Sequence, residues 1–236
     1  MIRPPRKLVM TITLVVLCAV FLYELGLLGM VVWFNFRNPS NTPVMQDTLN
    51  ALRAKDADAS LAHSWVPYDQ ISRNLKRAVI ASEDTGFVDH DGVEWDAIRK
   101  AWSYNQRQAD LGRTRRRGGS TITQQVAKNL FLSNSRNYLR KGQELILTYM
   151  IEAVMSKRRI LEIYLNIAQW GNATFGAQAA ARHYFRTDAA RLSSTQASRL
   201  AAMLPNPAYY DQHGNTAYLQ SHAATVRARM PQVAIP

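Results

Sequence analysis

Residues 118–129 read Gly118-Gly119-Ser120-Thr121-Ile122-Thr123-Gln124-Gln125-Val126-Ala127-Lys128-Asn129, a glycine-rich approach that turns into a helix. Ser120 stands where an N-cap is wanted, and the free backbone N–H groups of the first turn face whatever lies in front of them. At about 100° per residue, Thr121, Gln124, Gln125 and Lys128 share one face while Ile122, Val126 and Leu130 share the opposite one. Hydroxyls, amides and an ammonium group in line at a helix N-terminus make a cradle for an anion. Any amphipathic helix divides its residues in this way, so the neighbouring stretches have to decide what the cradle is for.

Upstream lies Ser82-Glu83-Asp84-Thr85-Gly86-Phe87-Val88-Asp89-His90-Asp91-Gly92. Its two carboxylates follow an apolar helical run (Leu75, Ala78, Val79, Ile80) and so emerge at the end of a buried helix, where burial raises a Glu pKa towards the range useful for proton transfer. A simple helix-end cap is the competing reading of the same pair. Downstream, Arg140-Lys141-Gly142-Gln143-Glu144 places Arg140 and Glu144 one helical turn apart, as a surface ion pair would be. Further on, Lys157-Arg158-Arg159-Ile160-Leu161-Glu162-Ile163-Tyr164-Leu165-Asn166 has the apolar spacing of a core helix, with Asn166 in a capping position.

The helical reading extends over the rest of the chain. Leu145, Ile146, Met150, Ile151 and Val154 recur at helical spacing, glycine is scarce, and neither alternating strands with hairpin turns nor an internal repeat is found. The expected fold class is mainly α. A length of 236 residues fits one folded domain or two small ones, and 47% hydrophobic against 19% charged residues excludes a disordered polyelectrolyte and a multi-span membrane protein. The single cysteine, Cys18, excludes a disulfide framework and a cysteine-based zinc site.

The charge is unevenly placed. Between Arg99 and Arg159, 14 basic residues face three acidic ones, which accounts for +11 of the formal net charge of +12. That concentration points to a binding surface for an anionic partner.

At the N-terminus, Leu8 to Phe34 is apolar except for Thr11, Thr13 and Glu24, about 40 Å of helix and enough to cross a bilayer. Arg3, Arg6 and Lys7 precede it, so the positive-inside rule puts residues 1–7 in the cytoplasm, 8–34 across the membrane and the remainder outside. The span is long for a signal peptide and no A-x-A-like site follows it. Glu24 reads as a tolerated carboxyl near the outer interface. Residues 35–45 have the Pro, Asn and Ser density of a linker, and the folded domain is expected over 46–236. Outside the cell nucleic acid is a poor partner, whereas lipid headgroups or a pyrophosphate are good ones.

Taken in order, these stretches resemble the glycosyltransferase family that polymerises bacterial peptidoglycan, the transglycosylase domain of penicillin-binding proteins, in its stand-alone monofunctional form. The matching residues are Glu-Asp-x-x-Phe-x-x-His-x-Gly at Glu83 to Gly92, Gly-x-Ser-Thr-Ile-Thr-Gln-Gln at Gly118 to Gln125, Arg-Lys-x-x-Glu at Arg140 to Glu144, and Lys-x-x-Ile-Leu-Glu-x-Tyr-Leu-Asn at Lys157 to Asn166. The runs Gly176 to Phe185 and Leu204-Pro205-Asn206-Pro207 look like the closing segments of the family, and the resemblance covers about Trp65 to Tyr210. Gly86 stands where many members carry a larger residue, and Gly119 replaces a common Ala. Neither Ser-x-x-Lys nor Lys-Thr-Gly occurs, so the transpeptidase half of bifunctional relatives has no counterpart here.

The resemblance implies a lysozyme-like helical domain with a smaller membrane-associated lobe, sought here between Val93 and Phe131, where Trp95, Ile98, Trp102, Tyr104 and Leu111 alternate with basic residues. It implies polymerisation of lipid II at the outer face of the cell inner membrane, with cell-wall synthesis or division proteins as possible partners. By resemblance Glu83 is the general base and Glu144 the second carboxylate. Ser120, Lys128, Arg140 and Lys141 are expected to hold the pyrophosphate, helped by Gln124, Gln125, Asn129 and Arg136. A divalent cation such as Mg is a possible companion of the pyrophosphate, but no metal-ligand spacing is present. A lysozyme-like hydrolase using the same two carboxylates and a non-catalytic, lipid-binding module are the rival readings.

Overall fold

The computed structural model describes residues 5–113, 118–132 and 138–236. Among these the helices are α1 (Arg6–Phe36), α2 (Pro43–Arg53), α3 (Arg73–Glu83), α4 (Trp95–Asp110), α5 (Ile122–Phe131), α6 (Tyr138–Val154), α7 (Lys157–Ile167), α8 (Ala177–Phe185), α9 (Ser194–Met203), α10 (Pro207–His213) and α11 (Ala217–Arg229). The strands described are β1 (Ala62–His63) and β2 (Thr174–Phe175), a parallel pair with Ala62 opposite Thr174. The fold is mainly α, as the periodicity predicts.

The helices start where local chemistry satisfies their orphan N–H groups. Ser72, Ser156, Ser193 and Thr216 each accept a hydrogen bond from the third residue on, opening α3, α7, α9 and α11. Thr42 does the same for α2, with Pro43 in the first helical position, so this helix begins inside the stretch read as a linker. Burial then orders the bundle. Leu75, Val79 and Ile80 of α3, Ile122 and Val126 of α5, Ile160, Leu161 and Tyr164 of α7, and Leu200 and Ala201 of α9 belong to one continuous core. α3 packs along α9 and α9 along α11, while α5 packs on both α6 and α7.

Two local readings are corrected. Asn166 caps no helix end: it lies fully buried, its Nδ2 donating to Val66 O at 3.0 Å and its Oδ1 accepting from Val66 N at 2.9 Å, so that it pairs like a strand with the segment before α3. On α6 the inward stripe is Glu144, Leu147, Thr148 and Ile151, while Ile146 and Tyr149 are exposed. The apolar period there reports two faces, of which only one meets the core.

α1 is long and apolar enough to cross a membrane. Its last three turns also belong to the folded domain. Glu24, Leu27, Leu28, Val31 and Phe34 form a helical stripe that is at least partly buried, and Val31 is wholly so. Gln143 Nε2 of α6 donates to Glu24 Oε2 at 3.0 Å. Phe34 meets Phe131 edge to face, and Arg159 donates to the carbonyls of Phe34 and Arg37. Glu24 is therefore a tie between α1 and the helix that carries Glu144, where the sequence alone offered only a tolerated charge.

α4 is different in kind. Among its apolar side chains only Ala101 is buried, while Trp102 is 67% exposed and Trp95 and Leu111 also face outward. These aromatic residues stand outside the core. Gly119 allows the loop before α5 to lie against this helix, since a Cβ there would sit 3.1 Å from Ile98 Cα.

Candidate active site

The site grows from the junction of α3 and α5. At the C-terminal end of α3 the chain leaves the helix at Asp84, which turns the two adjacent carboxylates in different directions. Asp84 is 4% exposed and bridges two motifs. Its Oδ2 accepts from the backbone N–H of Ile122, the first residue of α5, at 2.9 Å, and its Oδ1 lies 2.8 Å from His90 Nε2. A carboxylate at a helix N-terminus is favourable both as a hydrogen-bond acceptor and against the helix dipole. Gly92 N–H donates to His90 Nδ1 at 3.0 Å, which leaves the ring proton on Nε2, directed at Asp84. Asp84 thus works as a fastener, in keeping with the capping reading, and only Glu83 of the pair turns to the cradle.

Thr121, and not Ser120, is the N-cap of α5. Thr121 Oγ1 accepts from Gln124 N–H, and Gln124 Oε1 accepts from Thr121 N–H, a reciprocal box that needs a hydroxyl and an amide three residues apart. The alternative pairing, Ser120 with Thr123, lacks the amide. Ser120 is left exposed in the loop ahead of the cap. Gln124, at 2% exposure, is consumed by the box and does not face the cradle. Thr121 Oγ1 also donates to Gly92 O at 2.6 Å.

Behind this joint lies a second fastening. Glu152 Oε1 accepts from Thr123 Oγ1 at 2.6 Å and from Lys157 Nζ at 2.7 Å, and Lys157 Nζ also donates to His90 O at 2.6 Å. Gly92 passes so close to α6 that a Cβ would lie 2.7 Å from Glu152 Cγ and 2.8 Å from Thr148 Cγ2, and its φ of +87° suits only glycine. Gly92→Ala is expected to cost about 2–4 kcal/mol from left-handed strain and overpacking together, read as a lower midpoint in thermal or denaturant unfolding.

In front of the joint Glu83 is partly buried. Gln125 Nε2 donates to its Oε2 at 2.9 Å, and Tyr164 OH donates to Gln125 Oε1 at 3.1 Å. Oε1 of Glu83 has only a long contact, 3.4 Å, from Ser82 Oγ, and so keeps capacity to accept a further hydrogen bond. Burial raises the Glu83 pKa, against the hydrogen bonds from Gln125 and Ser82; the Asp84 charge adds to the rise and Lys128 opposes it.

One turn along α5, Lys128 has no hydrogen-bond partner among the described residues. Burial lowers its pKa; Glu144 is the strongest charge in the opposite direction, Arg140 and Lys141 repel it, and Glu83 attracts it. Lys128 therefore feels both carboxylates at once. Glu144, only 3% exposed, is held by Arg140 Nη1 at 3.2 Å and by Lys141 Nζ. With so little exposure this is not a surface ion pair. It is a buried carboxylate under a cluster of three cations.

The structure thus brings together Glu83, Gln125, Lys128, Glu144, Arg140 and Lys141. Asn129 is buried on α5 beside Lys128, and Arg136 lies outside the described residues. Sequence reasoning did not assign site roles to Asp84, His90, Thr123, Glu152, Lys157 and Tyr164. Asp84, His90, Thr123, Lys157 and Tyr164 stand at fixed positions in the quoted motifs, which was the available signal; Glu152 had none beyond being polar on an otherwise apolar helix. Among the described residues no group of three or more His, Cys, Asp and Glu side chains converges as a metal site.

This arrangement offers one base with an oxygen that keeps accepting capacity and, across α5, a dense set of cations suited to a leaving group of high negative charge. The model of the transglycosylase family matches residues 50–231. The biosynthetic peptidoglycan transglycosylase of Bordetella pertussis is 61% identical over 230 residues, covering 98% of this chain and 95% of the relative. Proteins of the same name from Herminiimonas arsenicoxydans and Chromobacterium violaceum are 50% and 48% identical, each covering 98% of this chain and at least 98% of the relative. The match of the family model to residues 50–231 and likeness extending over nearly the whole length of these relatives lead to one conclusion: the chain belongs to the biosynthetic peptidoglycan transglycosylase family.

Proposed function

We propose that the chain polymerises lipid II into β-1,4-linked glycan strands and releases undecaprenyl pyrophosphate. The 4-hydroxyl of an incoming lipid II attacks the anomeric carbon of the growing strand. The new C–O bond forms as the bond to the pyrophosphate oxygen breaks, the pyrophosphate leaves with the electron pair, and Glu83 takes the hydroxyl proton on Oε1. Lys128, Arg140 and Lys141 meet the charge that develops on the departing group. Glu144 holds two of these cations in place, and Gln125 orients the base. The observation that carries this reading is the base and the cation cluster meeting at Lys128, which senses both Glu83 and Glu144. A glycoside hydrolase acting between neutral sugars has no use for three cations opposite its base.

The same reading places the enzyme on the cell inner membrane, with α1 across the bilayer, residues 1–7 in the cytoplasm and residues 46–236 in the periplasm. At 31 residues α1 is about 46 Å long, some 15 Å more than the hydrocarbon core, which leaves its outer turns free to dock on α6 and α7. Trp95, Trp102, Leu111, Leu139, Ile146 and Tyr149 then have an apolar medium to face, and the cation cluster lies at headgroup level. Without transpeptidase motifs the enzyme extends strands and does not cross-link them.

Full chain in lipid II vesicles is expected to yield a ladder of polymeric glycan, whereas liberation of reducing ends from preformed glycan without a ladder would favour the hydrolase. Because Glu83 must be ionised to accept a proton and burial raises its pKa, kcat/KM is expected to fall with decreasing pH through a midpoint above the usual Glu value of about 4.3. A rate flat down to that value would contradict the assignment.

A further inference from the structure

We infer that Tyr164 is a positioning residue for the general base: its buried hydroxyl fixes which end of the Gln125 side-chain amide faces Glu83. This rests on Glu83 acting as the base, as proposed above. The two ends of a carboxamide have nearly the same shape, and only their partners decide which is which. Tyr164, on α7, is fully enclosed, with burial and the Glu83 and Asp84 charges all opposing its ionisation, so its hydroxyl keeps its proton; among the described residues Gln125 is the acceptor for that proton, and a flipped amide would leave it buried without one. Its donation at 3.1 Å makes the facing atom of Gln125 the oxygen, which turns Nε2 to Glu83 Oε2 at 2.9 Å.

The direction matters for the chemistry. An N–H donor stabilises the carboxylate, the form that accepts a proton; a carbonyl oxygen in the same place would bond only to the protonated acid. The other charged and titratable groups facing Glu83 are Asp84 at the end of α3, which disfavours ionisation, Lys128 on α5, which favours it, and Tyr164 itself on α7. From α9 the Ala201 carbonyl shares the Ser82 hydroxyl at 3.3 Å, so this donor is not reserved for Glu83. Gln125 is therefore the main neutral donor to the base, and Tyr164 controls its polarity. Two roles follow from one amide: it holds Oε2 still and leaves Oε1 for the acceptor hydroxyl.

The test is the pH profile of kcat/KM for lipid II polymerisation by the full chain in vesicles, with Tyr164→Phe, Gln125→Leu and the double variant beside the parent. Tyr164→Phe removes one oxygen and frees the amide to flip, and the acid limb is expected to move up by about one pH unit, the size of a lost bond to a charged group. Gln125→Leu should move it in the same direction. The double variant should match Gln125→Leu alone, because Tyr164 acts only through Gln125. A merely structural role for Tyr164 would scale the whole profile and leave the limb in place, and that result, or additive shifts in the double variant, overturns the inference. Should Tyr164→Phe fail to fold, the Gln125→Leu profile decides the point: an unshifted limb overturns the inference. Full activity in Glu83→Gln overturns both this inference and the proposed function, whereas loss there with an unshifted Tyr164→Phe limb overturns the inference alone.

Discussion

Glu83→Gln is expected to lower the rate of glycan polymerisation by about 10²–10⁴-fold, the usual contribution of a positioned base, in a protein that remains folded. The substitution keeps the shape of the side chain and removes only its ability to accept the proton. Its effect on stability has the opposite sign. Burial raises the Glu83 pKa above that of the unfolded chain, so the carboxyl favours folding below its unfolded pKa, and this contribution is lost as pH rises through the folded value. At neutral pH the parent carries a partly buried, destabilised carboxylate that the amide variant lacks. The variant should therefore melt at or above the parent at pH 7, with the difference fading in acid. An inactive variant with a lower melting temperature would mean lost structure and not a lost base.

The second large effect is expected at Lys128. Its ammonium group has no hydrogen-bond partner among the described residues, is repelled by Arg140 and Lys141, and is attracted by Glu144 and, less strongly, by Glu83. Such an arrangement is unfavourable until an anion arrives, which is what a preorganised site for developing charge requires. Lys128→Ala should reduce kcat/KM for a pyrophosphate-linked donor by about 10²–10³-fold, comparable to removal of one charge-stabilising donor from other active sites. Removing a half-buried cation that repels Arg140 and Lys141 should leave unfolding nearly unchanged, so a large fall in melting temperature with normal turnover would contradict the cradle.

How far the sequence disclosed this arrangement depended on the range of the interactions. The helical class, the long apolar α1, the ion pair of Arg140 with Glu144 and the shared face of Gln125 and Lys128 follow from spacings of three and four residues, and all are present. The N-cap of α5 was misplaced by one residue because Ser120 and Thr121 are both good caps and only the amide at Gln124 separates them. The Glu83-Asp84 pair was legible as a pair but not in its division of labour, which depends on the α5 N-terminus brought alongside Asp84 from 38 residues away. Glu152, Thr123 and Lys157 join across α5, α6 and α7, and no local pattern encodes that joint. Glu24 was readable only as a cost, since its partner Gln143 lies 119 residues away. In each case the chemistry was visible in the residue type and the partner was supplied by the fold.

The most direct measurement is polymer formation from lipid II in vesicles by full-length Glu83→Gln, run beside the parent chain at neutral pH with both proteins shown to be folded by circular dichroism. The parent is expected to give a glycan ladder, and the variant to bind lipid II yet leave no ladder on the same timescale. A ladder of parental intensity from the variant would contradict the assignment of Glu83 as the base and the mechanism built on it.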